Sequence, residues 1–280
     1  MKGADVYKEA VSCLICPLCG ADLSIAGEKS LVCAKGHCFD FSAKGYVNFI
    51  PNQRQTFTAY SKELYENRTR VFESGAYKRV LEEIQGILVS YFGEGRAVNL
   101  VDAGCGEGYF AAGLSKISGI NVLAADISRD AIVAACRRKA PVKWMVADLT
   151  RLPVRSGTAD AILSILSSAN YTEFGRALKT GGLIVKVVPG RDYLKEIREG
   201  AGLAPKTKEY SGDGSAEYFV KHVNLIEKRA VYYRWPADAA LFKNFTGMTP
   251  MTRGKITDMD CSGGTAHITI DLEILAGTLP

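Results

Sequence analysis

Val101-Asp-Ala-Gly-Cys-Gly-Glu-Gly108 is the stretch on which the reading of this chain turns. The apolar run Ala97-Val-Asn-Leu-Val101 enters it, and a segment from Tyr109 to Lys116 with helical patterning leaves it. The run reads as a buried strand and the segment as a helix. Between them stand Gly104, Gly106 and Gly108. Glycine accepts positive φ and lets a ligand approach the backbone. A helix starting behind such a turn offers unpaired amides to an anionic or polar group. The glycine spacing alone is weak evidence. The strand before it and the helix after it give it weight.

Downstream, Asn121-Val-Leu-Ala-Ala125 reads as a second strand, closed by Asp126. A carboxylate about 20 residues past such glycines can bond the hydroxyls of an adenosine ribose. Val142 to Ala147 is a third strand, closed by Asp148 on the same sheet edge, where ligands of open parallel sheets bind. The candidate cofactor-binding residues here are Asp102, Gly104, Cys105, Gly106, Glu107, Gly108, Asp126, Ile127, Asp148 and Leu149. NAD, FAD and S-adenosylmethionine all contain adenosine. A pyrophosphate fingerprint requires Gly-x-Gly-x-x-Gly, whereas this loop is Gly-x-Gly-x-Gly preceded by Asp102. That spacing resembles the class I methyltransferase pattern, in which the loop faces the methionine part of S-adenosylmethionine.

The alternation continues outward. Ser128 is placed to cap a helix running to Arg138, and Ala159 to Ile165 reads as a fourth strand. A helix is expected near Glu173–Leu178, and Gly181-Gly182 as a turn into a fifth strand, Leu183 to Val188. Such β–α alternation argues a parallel, doubly wound sheet. Beyond a polar stretch over 200–216, Lys228 to Trp235 and Thr265 to Leu275 read as strands. Before the sheet, Leu64, Val71, Val80, Ile84, Ile87 and Leu88 recur at helical spacing, which predicts two amphipathic helices broken near Ser74-Gly75. The fold class is therefore α/β, a class I Rossmann-like sheet with a small zinc-ribbon-like N-terminal domain. The expected units are 1–55 (a separate N-terminal unit), 56–95 (helical linker) and 96–280 (methyltransferase).

The first unit rests on cysteine placement. The chain has 280 residues and eight cysteines: Cys13, Cys16, Cys19, Cys33, Cys38, Cys105, Cys136 and Cys261. Five lie in the first 38 residues, a segment too poor in apolar residues to hold itself together without a staple. Without a secretory-type start, this crowding reads as metal binding in a reducing, cytoplasmic setting rather than as disulfides. Cys16-Pro-Leu-Cys19 is a C-x2-C knuckle, and Cys33-Ala-Lys-Gly-His37 supplies a second pair. Cys13 and Cys38 are further candidates, so four ligands are to be drawn from six. A site closed by four protein ligands is structural. No apolar run is long enough to span a membrane. A net charge of +5 permits an acidic partner without requiring one.

Taken together, Cys16-Pro-Leu-Cys-Gly20, Leu31-Val-Cys33, His37, Phe39-Asp40 and Lys44-Gly-Tyr-Val-Asn48 resemble the opening of the bacterial 23S ribosomal RNA guanine-N1 methyltransferases. The resemblance continues through Gly75-Ala-Tyr77, the glycine loop, Arg151-Leu-Pro153, Pro189-Gly190 and Met248-Thr-Pro250. It implies structural Zn²⁺ on Cys16, Cys19, Cys33 and His37. It also implies contacts to S-adenosylmethionine from Gly106, Glu107 and Tyr77. Where the family has a histidine past the fifth strand, this chain has Tyr193. The implied substrate is a guanine in a hairpin loop of 23S rRNA.

N1 of neutral guanine carries a proton that must be accepted during methylation, and no side chain is assigned as the base. Tyr171, Phe57 and Tyr60 are candidate stacking platforms for a splayed-out base. Residues 1–80 hold eleven Lys and Arg against eight Asp and Glu. Arg68, Arg70, Lys78 and Arg79, joined by Lys35, Lys44 and Arg54, are the expected RNA-facing charges. A small-molecule methyltransferase with a purely structural zinc site is the alternative reading. A second alternative is a binding module that keeps the fold without the chemistry. A homodimer is left open.

Overall fold

A computed structural model describes residues 3–50, 60–203, 214–252 and 266–280. Arg54, Phe57, Cys261 and most of the polar stretch over 200–216 lie outside these described residues. Helix α1 (Gly3–Tyr7) and a 3-10 turn (Val11–Cys13) lead into β1 (Leu23–Ala26), β2 (Ser30–Cys33) and β3 (Cys38–Asp40). These three strands form a small antiparallel sheet in the order β1-β2-β3. Next come β4 (Tyr46–Asn48), α2 (Lys62–Glu73) and α3 (Lys78–Phe92). Ser61 starts α2 by accepting the Leu64 N–H. The two helices break at Ser74-Gly75, where Gly75 has φ +89°.

The main sheet then builds up as β5 (Val98–Ala103), α4 (Tyr109–Leu114), β6 (Ile120–Asp126), α5 (Arg129–Cys136), β7 (Lys143–Val146), β8 (Ala159–Ile165), α6 (Tyr171–Ala177) and β9 (Leu178–Pro189). Ser128 caps α5 through the Ala131 N–H at 3.3 Å, as its position predicts. The chain finishes with α7 (Lys195–Gly200), α8 (Ser215–His222), β10 (Asn224–Ala237), α9 (Ala239–Gly247), a 3-10 turn (Pro250–Thr252) and β11 (Ala266–Thr278). Strand order is β10-β11-β9-β8-β5-β6-β7-β4. β8 is buried at all seven positions, as a central strand covered on both faces must be.

Two features depart from a purely parallel sheet. β11 runs antiparallel to both β9 and β10, so the sheet is mixed. β9 also starts earlier than Gly181-Gly182 suggests. Ala159 pairs with Leu178, and Ala161 next pairs with Leu183. Residues 179–182 are thus extruded from the ladder, and the glycine pair sits inside that bulge rather than in a turn before the strand.

At the other edge, β4 from the N-terminal segment pairs parallel with β7, through Tyr46↔Trp144, Val47↔Met145 and Asn48↔Val146. The small sheet is held to the large one by more than this strand. The Ile15 N–H donates to Pro153 O at 3.2 Å, and the Arg155 N–H donates to Cys13 O at 2.7 Å. Leu14, Cys16, Leu31, Phe39 and Val47 share one apolar cluster with Val101, Leu123, Met145, Leu152 and Val154. No helix among the described residues is long and apolar enough to cross a membrane.

Candidate cofactor pocket and metal centre

The metal candidates meet at the end of β2. In the first knuckle the Gly20 N–H donates to Cys16 O at 2.8 Å. In the second the Gly36 N–H donates to Cys33 O at 2.9 Å. Gly20 and Gly36 both take positive φ, at +71° and +83°, which lets each turn fold back on its cysteine. The donor atoms of Cys16, Cys19, Cys33 and His37 lie within 4.8 Å of one another. Cys19 Sγ to Cys33 Sγ is 3.7 Å. His37 Nδ1 lies 3.5 Å from Cys16 Sγ and 3.3 Å from Cys33 Sγ. A tetrahedral ion with Zn–S near 2.3 Å needs sulfur–sulfur edges of about 3.8 Å, so three sulfurs and one nitrogen at these separations fit Zn²⁺. Cys13 and Cys38 are outside the group. Cys13 is buried beside it, and the exposed Cys38 thiol points to Asp40 Oδ1 at 3.7 Å.

The second site forms where β5, β6 and β8 end together. Gly104 and Cys105 both donate N–H to Ala125 O, at 2.8 and 3.0 Å, and this hooks the loop over β6. Gly104 has φ +84°, and a Cβ there would lie 2.7 Å from the Ser167 side chain and 3.6 Å from Leu149 Cδ1. Gly108 has φ +77°, and a Cβ there would lie 2.4 Å from the Trp144 ring. Asp126 accepts the Gly106 N–H at 2.9 Å and the Ser128 N–H at 2.8 Å, so it ties the loop to the start of α5. Half-buried Ile127 follows it. Asp148 is exposed, with Oδ1 accepting the N–H and hydroxyl of Thr150, both at 2.8 Å.

Three carboxyls crowd this loop. Burial raises Asp102 to about 8, and Glu107 and Asp126 push it the same way. Asp102 Oδ1 is buried with no hydrogen-bond partner among the described residues. Burial also raises Glu107, against the opposing charges of Arg68 and Arg138. Arg138 holds Glu107 twice, from Nη2 to Oε1 at 3.3 Å and from Nε to the backbone O at 2.8 Å. Burial raises Asp126 despite its two amides and Arg68. An unpaired buried carboxyl oxygen beside a glycine-lined turn suits a cationic group, and S-adenosylmethionine carries a sulfonium and an ammonium. Cys105 is buried in the same loop.

Tyr77 and Tyr193 come together from distant parts of the chain, both buried, with hydroxyls 2.6 Å apart. Arg68 reaches the same region from α2. Its Nη2 donates to Met248 O at 3.2 Å, and its Nη1 would lie 3.6 Å from a Cβ at Gly106. Arg68, expected to face RNA with Arg70, is thus half-buried and turned toward the glycine loop. Two residues on, about 200° around α2, Arg70 is exposed and holds Asn67 Oδ1 at 3.2 Å. Tyr171 is likewise no open platform, because its ring is buried and stacked on His222 at 5.1 Å. Tyr60 packs edge-on to Tyr65. Lys35 and Lys44 are exposed, Lys78 pairs with Glu82 at 3.5 Å, and Arg79 lies over the Tyr233 ring.

Sequence reading overlooked the β8–α6 loop. Leu166 is exposed and takes φ +50°, unusual for a branched residue and a sign of local constraint. Buried Lys186 donates to Ser164 Oγ at 3.0 Å and to Ser167 O. The Ser167 hydroxyl donates to Ala103 O at 2.8 Å, which binds this loop to the glycine loop. A lysine within the apolar run 183–188 was the one available signal.

Comparison with known proteins settles the family. Residues 14–56 match the family described as "RlmA, N-terminal", and residues 100–182 match "Methyltransferase domain". A Bacillus subtilis (strain 168) protein named "Putative 23S rRNA (guanine-N(1)-)-methyltransferase YxjB" is 34% identical over 278 residues, covering 94% of this chain and 95% of its own. The chain belongs to the 23S rRNA guanine-N1 methyltransferase family. The Streptomyces fradiae member named 23S rRNA (guanine(748)-N(1))-methyltransferase is 29% identical over 221 residues, 78% of each chain. The fold is that of an S-adenosylmethionine-dependent methyltransferase with a zinc ribbon. In this member, the residues that resemble the family's N-terminal signature are mostly joinery rather than ligands. Phe39 packs on Phe49 at 4.9 Å, Asp40 accepts from Ser30 Oγ at 2.6 Å, and the Tyr46 hydroxyl accepts from Arg129 Nε at 3.0 Å.

Proposed function

We propose that this chain methylates N1 of a guanine in a hairpin loop of 23S rRNA, in the bacterial cytoplasm. One observation carries the reading. The zinc-ribbon segment supplies an edge strand, β4, to the same sheet whose strand ends carry the glycine loop. A substrate touching both would be held rigidly against the reacting edge.

In this reading zinc sits on Cys16, Cys19, Cys33 and His37 and does no chemistry. Asp102, Gly104, Cys105, Gly106, Glu107 and Gly108, with Tyr77 and Tyr193, surround the methionine half of the cofactor. Asp126 and Ile127 hold the ribose, and Asp148 with Leu149 border the next loop. Bound S-adenosylmethionine supplies a methyl group already activated by its sulfonium. The protein's task is then placement, holding guanine N1 in line with that methyl. Lys186 and Ser167 fix the loop along which the base would enter, and Leu166 presents an apolar edge to it. Exposed Lys35, Lys44 and Arg70 meet phosphates.

The test uses methyl-labelled S-adenosylmethionine, the zinc-loaded protein and rRNA from a strain lacking the modification. A primer-extension stop at one 23S guanine is expected, since N1 methylation blocks Watson–Crick pairing. Label on a small metabolite with none on rRNA would overturn the reading. Sedimentation of the same preparation reads the oligomeric state.

A further inference from the structure

Arg68, expected among the RNA-facing charges, is half-buried and turned toward the glycine loop. Arg68 projects from α2 toward the glycine loop, with Nη1 3.6 Å from the Cβ position of Gly106. Its only hydrogen bond to a described residue runs from Nη2 to Met248 O at 3.2 Å. Among the described residues no carboxylate forms an ion pair with it within 4.0 Å. Its guanidinium lies 5.9 Å from the centroid of the Tyr65 ring. Five buried or half-buried groups feel its charge: Tyr65, Tyr77, Glu107, Asp126 and Tyr193. Arg68 is thus an inward cation, held in place by one carbonyl, with Nη1 and Nε unpaired among the described residues.

The methionine half of S-adenosylmethionine carries two charges besides the sulfonium, an ammonium and a carboxylate. Asp102 and Glu107 beside the loop suit the cationic parts and, when ionised, repel the carboxylate. Glu107 already occupies Arg138. Among the described residues Arg68 is the cation left facing the loop, and a guanidinium matches a carboxylate in shape and charge. We propose that Arg68 anchors the α-carboxylate of the cofactor's methionine moiety, with Met248 O fixing its rotamer. This rests on the cofactor half of the function proposed above and is independent of the RNA half. It also gives Met248-Thr-Pro250 a task, since the turn that begins there presents the carbonyl that orients Arg68.

Calorimetry on the zinc-loaded full chain, without RNA, tests this with two ligands. S-adenosylhomocysteine has the carboxylate, and S-adenosyl-3-thiopropylamine lacks it but keeps the amine. The wild type should prefer the first by about tenfold or more. Arg68→Gln should abolish that preference by weakening S-adenosylhomocysteine alone, and Arg68→Lys should restore part of it. Undiminished binding of the decarboxylated ligand reports an intact fold. Equal weakening of both ligands would overturn the proposal in favour of a scaffold role. Unchanged binding of both, with loss of affinity for an rRNA fragment, would return Arg68 to RNA. Failure of the wild type to bind either ligand would instead sink the cofactor assignment itself.

Discussion

Tyr46 and Trp144 are register partners across the parallel pair β4–β7, and the Trp144 ring closes over Gly108 of the cofactor loop. The zinc segment and the glycine loop are therefore two contacts apart. A change at the metal would reach the loop through β2, β3 and β4 and the Trp144 ring.

Zinc removal should therefore be felt beyond the small sheet. Structural zinc contributes folding free energy directly. Chelation, or Cys33→Ser, should lower the Tm of the whole chain and weaken S-adenosylhomocysteine binding severalfold. Calorimetry before and after zinc is restored checks this. An unchanged cofactor affinity in the zinc-free protein would show that β4 transmits nothing.

Gly108→Ala combines two penalties. The residue sits at φ +77°, and the added Cβ would lie 2.4 Å from the Trp144 ring. Left-handed backbone and core overpacking together cost roughly 2–4 kcal/mol. Urea unfolding should show this loss. Gly157→Ala makes the comparison, since its φ is +65° with nothing within 4 Å of the Cβ position, so it should lose only the backbone part.

Asp102 makes stability depend on pH. Its carboxyl is raised in the folded state to about 8, against about 3.9 unfolded, so the native state holds the proton more tightly. That stabilisation is complete below about pH 4 and is lost as pH rises through about 8. Asp102→Asn should remove this slope, so the variant gains stability relative to wild type as pH is raised from 5 to 8, on the order of 1–3 kcal/mol. Ionisation also favours a cationic ligand, so wild-type affinity for S-adenosylmethionine should rise over the same window. A flat affinity profile from pH 6 to 8.5 would count against Asp102 facing the cofactor.

Arg70→Glu tests the RNA face, since Arg70 is exposed at the end of α2 while Arg68 turns inward. It should weaken binding of a 23S hairpin and reduce the slope of affinity against salt, while leaving S-adenosylhomocysteine binding unchanged. Filter binding between 50 and 200 mM salt reads both, and an unaltered slope would remove Arg70 from the interface.

Much of this was legible in the chain itself, because it depends on local chemistry. The knuckles at Cys16–Cys19 and Cys33–His37 are set by turn geometry over a few residues. The strand, glycine turn and helix from Ala97 onward announce themselves by period and by glycine. Ser128 caps α5 because a hydroxyl reaches an amide three residues away. Which four of six candidate ligands converge was not local: spacing left it open, the family resemblance named the four, and folding gathers those same four. β4 was hidden for a related reason. Three residues carry no periodic signal, and its partner β7 lies about a hundred residues away.

The glycine loop was the clearest feature of the sequence, and its backbone purpose was readable there. Its surroundings were not. Ser167 against Gly104, Trp144 against Gly108 and Arg68 against Gly106 come from three other elements. A sequence fixes which residues can bend, cap or ligate, since those properties belong to a few adjacent bonds. Which side chains crowd a loop, and whether an arginine turns inward or out, follows from the packing of helices and strands far apart along the chain.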